Sequence, residues 1–218
     1  MRSQKVALTP ILIRMPRAGS TTLAKIFFKN QYRVYGGLHM GFWGQEYDSK
    51  DVLVNSRTSN SLSECIFDYL GYKAFAGSLK VSSIRNPLAR AISIFAHNSW
   101  NAVKTFDEFC YCLENNIYPN PCARWHAQPM YRHLCIRGSL CIDNLVRVEN
   151  MDKALARLEQ RLRKAGNITS PINIVNQASP TPHENKSNHK SRVVLTDKNK
   201  DLLYLYYRED FEGFGYYL

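Results

Sequence analysis

The chain has 218 residues, 44% of them hydrophobic, enough for one well-buried domain and short for two. A formal net charge of +11 implies a polyanionic partner: nucleic acid, a membrane surface, a sulfated or carboxylated glycan, or a nucleotide cofactor, and charge alone does not choose among them. The opening apolar run is broken by Thr9, Pro10 and Arg14, too short and too polar for a signal peptide or a membrane span, so the chain as given is expected to be soluble and cytoplasmic.

Val6 to Ile13 reads as a buried strand, and Thr21 to Asn30 as the helix after it, with Leu23, Ile26 and Phe27 on one face. Between them runs Pro16-Arg17-Ala18-Gly19-Ser20-Thr21-Thr22. A strand that empties through small residues into a helix start gathers backbone N–H groups at one end of the helix dipole and makes an anion site. Gly19 lets the backbone approach a ligand, Ser20, Thr21 and Thr22 can cap the helix or donate hydroxyls, and Arg17 adds a fixed positive charge. An ordinary capped strand-to-helix turn would use the same Ser and Thr residues.

Tyr32 to Tyr35 alternates as a short strand and ends in the glycine-rich Gly36-Gly37-Leu38-His39-Met40-Gly41. Val52-Leu53-Val54 reads as a third strand, Leu62 to Leu70 as a helix closed by Gly71, and Leu79 to Ile84 as a fourth strand. That strand ends at Arg85-Asn86-Pro87, and Pro87 suits the first turn of a helix running through Ala91, Ile92, Ile94 and Phe95. Strands alternating with helices indicate an α/β fold with a central parallel sheet, in which ligands bind outside the carboxyl ends of the strands. Arg17, His39 and Arg85 all follow predicted strands and can meet in one crevice.

The second half reads as mainly helical. Phe106 to Glu114 and Trp125 to Leu134 are expected helices, separated by a polar loop from Asn115 to Pro121. Ile142 to Val148 reads as a strand, and Met151 to Leu162 as a surface helix ended by Gly166. Thr169 to Ser191 is an irregular loop, and Lys186 to Arg192 is basic enough to close over an anion. Leu202 to Tyr207 starts a last helix, followed by an aromatic plug from Phe211 to Tyr217. The six cysteines, at 65, 110, 112, 122, 135 and 141, show no CxxC spacing, which favours buried free thiols over a zinc set of Cys110, Cys112, Cys122 and His126.

A second anion site is suggested by Arg85 and Ser93, a strand-end arginine and a hydroxyl two turns into the next helix, able to grip one phosphate from two sides. With both motifs in view, the chain resembles the sulfotransferases. Pro16-Arg17-Ala18-Gly19-Ser20-Thr21-Thr22-Leu23 resembles the loop that holds the 5′-phosphosulfate end of 3′-phosphoadenosine 5′-phosphosulfate (PAPS), and Arg85-Asn86-Pro87 with Arg90 and Ser93 resembles the 3′-phosphate motif. The run looks like the Golgi carbohydrate branch, such as the heparan sulfate 2-O- and 6-O-sulfotransferases; Gly37-Leu38-His39 sits where a 6-O enzyme carries its catalytic histidine. Asp143 to Glu149, then a helix, and Asp210-Phe211 with Phe214-Gly215-Tyr216 are similar to that branch's C-terminal half.

The resemblance implies a single sulfotransferase domain with a P-loop-like fold, and a Golgi membrane location if an anchor of the relatives has been lost. It implies PAPS as cofactor, held by Arg17, Ala18, Gly19, Ser20, Thr21, Thr22, Arg85 and Ser93, with adenosine 3′,5′-bisphosphate as product. His39 would be the general base toward an acceptor hydroxyl, most readily an anionic carbohydrate, and Arg17 would neutralise charge developing on the sulfonate. Candidate acceptor contacts are Arg14, Trp43, Arg124, His126, Gln128 and Arg132, since sulfated or uronate-bearing glycans want cationic forks and aromatic platforms; core and surface of an ordinary helix would explain the same residues.

Two positions depart from the family pattern. Arg17 stands where Lys is usual, although tyrosylprotein sulfotransferases also use Arg there, and Asn86 replaces a common Asp. No G-x-x-x-x-G-K-[ST] occurs and no acidic residue stands near the loop to hold Mg²⁺, which disfavours a nucleotide or small-molecule kinase; no metal is expected. A non-catalytic basic nucleic-acid-binding protein would explain the charge but not two anion loops at strand ends, and no helix-turn-helix, RNP or zinc-finger pattern is present.

Overall fold

A computed structural model describes residues 9–29, 32–35, 62–164 and 193–218. Four parallel strands form its sheet: β1 (Thr9–Ile13), β2 (Arg33–Tyr35), β3 (Ser78–Ile84) and, late in the chain, β6 (Asn144–Arg147), in the order β2-β1-β3-β6. Register pairs Ile13 with Tyr35 on one side and with Ser82 on the other, and Ser83 with Val146. A small antiparallel pair, β4 (Cys135–Ile136) and β5 (Ser139–Leu140), stands apart from it.

Both faces of the sheet are covered, which is why β1 and β3 carry runs of buried residues rather than alternating ones. Leu12, Val81 and Val146 face α1 (Ser20–Lys29) and α7 (Met151–Lys164), meeting Leu23, Phe27, Leu155 and Leu158. Ile11 and Ile13 point the other way, toward Ile66 of α2 (Leu62–Ala76), Met130 and Leu134 of α6 (Met130–Leu134), and Phe214 of α9 (Arg208–Phe214). A third cluster joins α3 (Pro87–Phe95), α4 (Phe106–Glu114) and α8 (Asp197–Tyr206) around Trp100, Phe109, Tyr207 and Phe211. The result is an α/β fold with a helical C-terminal half, as the sequence pattern predicts.

Several expected boundaries move, each for a local reason. Gly71 adopts φ 73° and ψ 162°, which interrupts α2, but the chain re-enters helix as far as Ala76. The single helix expected from Trp125 to Leu134 is two helices, α5 (Pro121–Ala127) and α6, because Pro129 has no N–H to continue the ladder and holds Gln128 extended (ψ 144°). Asn120 caps α5 by accepting the Ala123 N–H, with Pro121 in its first turn.

α8 begins at Asp197 rather than Leu202, because Thr196 caps it by accepting the Asn199 N–H. The expected aromatic plug is partly α9: Phe211 and Phe214 are buried, whereas Tyr217 is 86% exposed. The strand expected to reach Val148 stops at Arg147, where a 3₁₀ turn covers Val148–Asn150. Cys110, Cys112 and Cys135 are buried free thiols and Cys122 and Cys141 are half-buried ones; burial, with Asp107 adding, pushes the Cys110 thiol up to about 12. No helix among the described residues is long and apolar enough to cross a membrane. The expected strand at Val52–Val54, His39, Trp43 and the basic stretch 186–192 lie outside the described residues.

Candidate active site

β1 and β3 are adjacent and parallel, so the loops that follow them leave the same, carboxyl end of the sheet. After β1 the chain turns through Arg17 at φ 60° and Gly19 at φ 69° before entering α1. The close approach explains Gly19: a Cβ there would lie 2.7 Å from Val148 Cγ2. From the left-handed turn the Arg17 guanidinium reaches α3, donating from Nε (3.2 Å) and Nη2 (2.9 Å) to the Ser93 hydroxyl. Two residues 76 apart in sequence, each chosen for its own motif, meet at one point.

The second loop is held by local capping. The Asn86 side-chain oxygen accepts the Leu88 and Ala89 N–H groups at 3.0 and 3.2 Å, and Pro87 fills the first helical position. Asn86 is thus a helix cap, a role Asp and Asn fill about equally, and this accounts for its standing where Asp is usual.

Three guanidiniums share the field of this end. Burial lowers the Arg17 pKa, and repulsion from Arg85 and Arg90 lowers it further. Burial also lowers that of Arg85; Glu149 opposes this, Arg90 adds to it and Tyr216 opposes it weakly. Arg14, 6% exposed, donates from Nη2 to the Thr21 hydroxyl at 2.9 Å, while its buried Nη1 has no hydrogen-bond partner among the described residues. Guanidiniums crowded at this end of the sheet suit a bound polyanion.

Arg90, quoted in the motif without a role, is the residue that sequence reasoning missed. It is fully buried and donates to the carbonyls of Pro16 (3.2 Å), Gln128 (2.9 Å) and His126 (2.8 Å). Asp210 lies 4.0 Å from it and accepts the Met130 and Tyr131 N–H groups. The only sequence signal was a charged residue on the helix face of Ala91 and Ile94, and its partners lie 36 to 120 positions away.

The expected acceptor contacts scatter. Arg14 is packed beneath the first loop, and His126 is buried with Nδ1 against the Cys122 carbonyl at 2.9 Å and its ring 4.4 Å from that of His97. Gln128 gives its carbonyl to Arg90, its side-chain oxygen being buried without a partner among the described residues. Arg132 is exposed and forms a bidentate pair with Glu209 at 2.7 and 3.0 Å, and Arg124 is exposed. A cavity of about 450 Å³ lined by Phe95, Trp100, Lys104, Thr105 and Thr196 contains none of the expected site residues.

Searches of curated proteins and of solved structures give no match. The model of the sulfotransferase family, by contrast, matches residues 11–217, from β1 through the loops after β1 and β3 to the aromatic C-terminal run. With nearly the whole chain covered, the protein belongs to the sulfotransferase family and is a sulfotransferase.

Proposed function

We propose that the chain transfers a sulfuryl group from PAPS to a hydroxyl of a carbohydrate acceptor, with His39 as general base. The observation that carries the donor assignment is the meeting of Arg17 with Ser93 in a field shared by Arg85 and Arg90. PAPS would supply the activated sulfuryl group and leave as adenosine 3′,5′-bisphosphate. Arg17, the backbone of Ala18 and Gly19, and Ser20, Thr21 and Thr22 would hold its 5′ end; Arg85 and Ser93 would hold its 3′-phosphate.

The chain's own groups divide the work. Arg17 stands where negative charge must be met, and its rigid anchoring on Ser93 limits the reorganisation needed to meet it. The Ser93 oxygen accepts from Arg17, so its own proton remains to be donated to an anion. Arg85 and Ser93 position, and His39 takes the acceptor proton. An anionic glycan fits the net charge of +11.

Transfer of labelled sulfate from PAPS to a panel of desulfated glycans and phenols tests this reading. Glycan labelling is expected, with Arg85→Ala losing affinity for adenosine 3′,5′-bisphosphate and His39→Ala losing about 10²–10⁴-fold in turnover while keeping that affinity. Labelling of phenols alone would overturn the acceptor, and a fully active His39→Ala protein would overturn the base. Salt-sensitive binding of DNA or RNA with no affinity for the bisphosphate would overturn the donor.

A further inference from the structure

The turn that follows β6 touches both anion loops. Val148 packs on Gly19 in the first, as the space a Cβ would need there shows. Glu149 reaches the second: its Oε1 accepts the Asn86 N–H at 2.6 Å, directly after Arg85, and its Oε2 accepts the Tyr216 hydroxyl at 3.0 Å. Tyr216 is itself fixed. Its N–H bonds to the Phe211 carbonyl at 2.9 Å, Gly215 at φ 62° turns the chain to present it, and its ring lies 4.6 Å from the Arg147 guanidinium. Arg147 in turn donates to the carbonyl of Phe214. Burial, then Glu149, hold the Tyr216 phenol well above its usual pKa, so it stays a donor.

We propose that Glu149, held by Tyr216, is a positioning residue for Arg85, and that this pair sets the preference of the site for a nucleotide bearing a 3′-phosphate. The inference rests on the donor reading given above. Arg85 has no reason of its own to stay at the strand end, because Arg17 and Arg90 both repel it. A carboxylate with both oxygens engaged cannot swing away, so it fixes the Asn86 peptide and offsets that repulsion from one constant direction. Glu149 is exposed, so its loss acts on the loop rather than on the core. The Phe214-Gly215-Tyr216 run, distant in sequence from either loop, gains a role as the support of this carboxylate.

The test compares affinity for adenosine 3′,5′-bisphosphate and for adenosine 5′-monophosphate by calorimetry, with donor KM and kcat measured alongside. Glu149→Ala is expected to weaken the bisphosphate about tenfold and the monophosphate hardly at all, and to raise donor KM with kcat within about twofold. Glu149→Gln keeps an acceptor for the Asn86 N–H but not the charge, and is expected to recover only part of the loss; Tyr216→Phe is expected to lose about two- to threefold. In an Arg85→Ala background, Glu149→Ala is expected to add nothing. Equal loss for both nucleotides, unchanged preference, or additivity with Arg85→Ala would overturn the proposal while leaving the donor reading intact. A parent protein with no preference for the bisphosphate would overturn both.

Discussion

The loops after β1 and β3 each feed a helix from the same end of the sheet, but they are held in different ways. The second is capped from within, Asn86 capping α3 and Pro87 starting it, and draws one exposed contact from elsewhere, Glu149 on the Asn86 N–H. The first carries two left-handed residues, Arg17 and Gly19, and its support comes from elsewhere: Arg90 on the Pro16 carbonyl, Ser93 on Arg17, Val148 on Gly19. A strained loop persists only where its surroundings over-determine it, so the first loop depends on α3 and on the turn after β6.

The largest effect should therefore come from Arg90→Ala. It strips three carbonyls of their donor and leaves Asp210 without its counter-ion, which should cost about 3–5 kcal/mol in chemical denaturation. Gly19→Ala should follow at about 2–4 kcal/mol, combining the positive φ with the clash against Val148. A wild-type denaturation midpoint for either variant would break the contrast.

The same scaffold should make the fold acid-sensitive. His133 is fully buried, with Nε2 against the Trp125 carbonyl at 3.0 Å, and burial, then Arg90, lower its pKa to about 3. A depressed folded pKa means stability that is present above the unfolded value of 6.5 and lost as pH falls toward about 3, at up to ~1.4 kcal/mol per pH unit. Asp210, raised to about 6 by burial, runs the other way between about 4 and 6. The difference between wild type and His133→Gln isolates the histidine, and a pH-independent difference would remove it from the account.

Asn86→Ala should have the smallest effect, about 1 kcal/mol, with Asn86→Asp near neutral. A loss from Asn86→Ala as large as that from Arg90→Ala would show that a local cap holds its loop as strongly as the distant contacts hold the first, and would break the contrast.

The same division decides what could be read from the sequence. The expected bounds of α4 match those observed, α3 starts at Pro87, β1 ends at Ile13 and β3 begins one residue early, because periodicity, caps and prolines are local signals; the expected strand start at Val6 lies outside the described residues. Both strand-to-helix loops were legible for that reason. The break at Gln128-Pro129 and the cap at Thr196 are also local signals, a proline and a threonine that apolar periodicity alone passes over. The partners of Arg90, Asp210, Glu149 and Tyr216 follow only from the order in which strands and helices stack. Nothing in the sequence spacing places Arg17 on Ser93 either.

Arg90 and Asp210 sit 4.0 Å apart with no direct hydrogen bond, yet both are fully buried. Each instead spends itself on the broken helix between them: Arg90 takes carbonyls at the end of α5, and Asp210 takes the first N–H groups of α6. The two ions are solvated by peptide dipoles much as water would solvate them, and the helix ends are solvated by the ions. The break in the helix is what makes room for that exchange, so a continuous helix here would leave Arg90 with the Pro16 carbonyl alone and Asp210 without its two N–H donors.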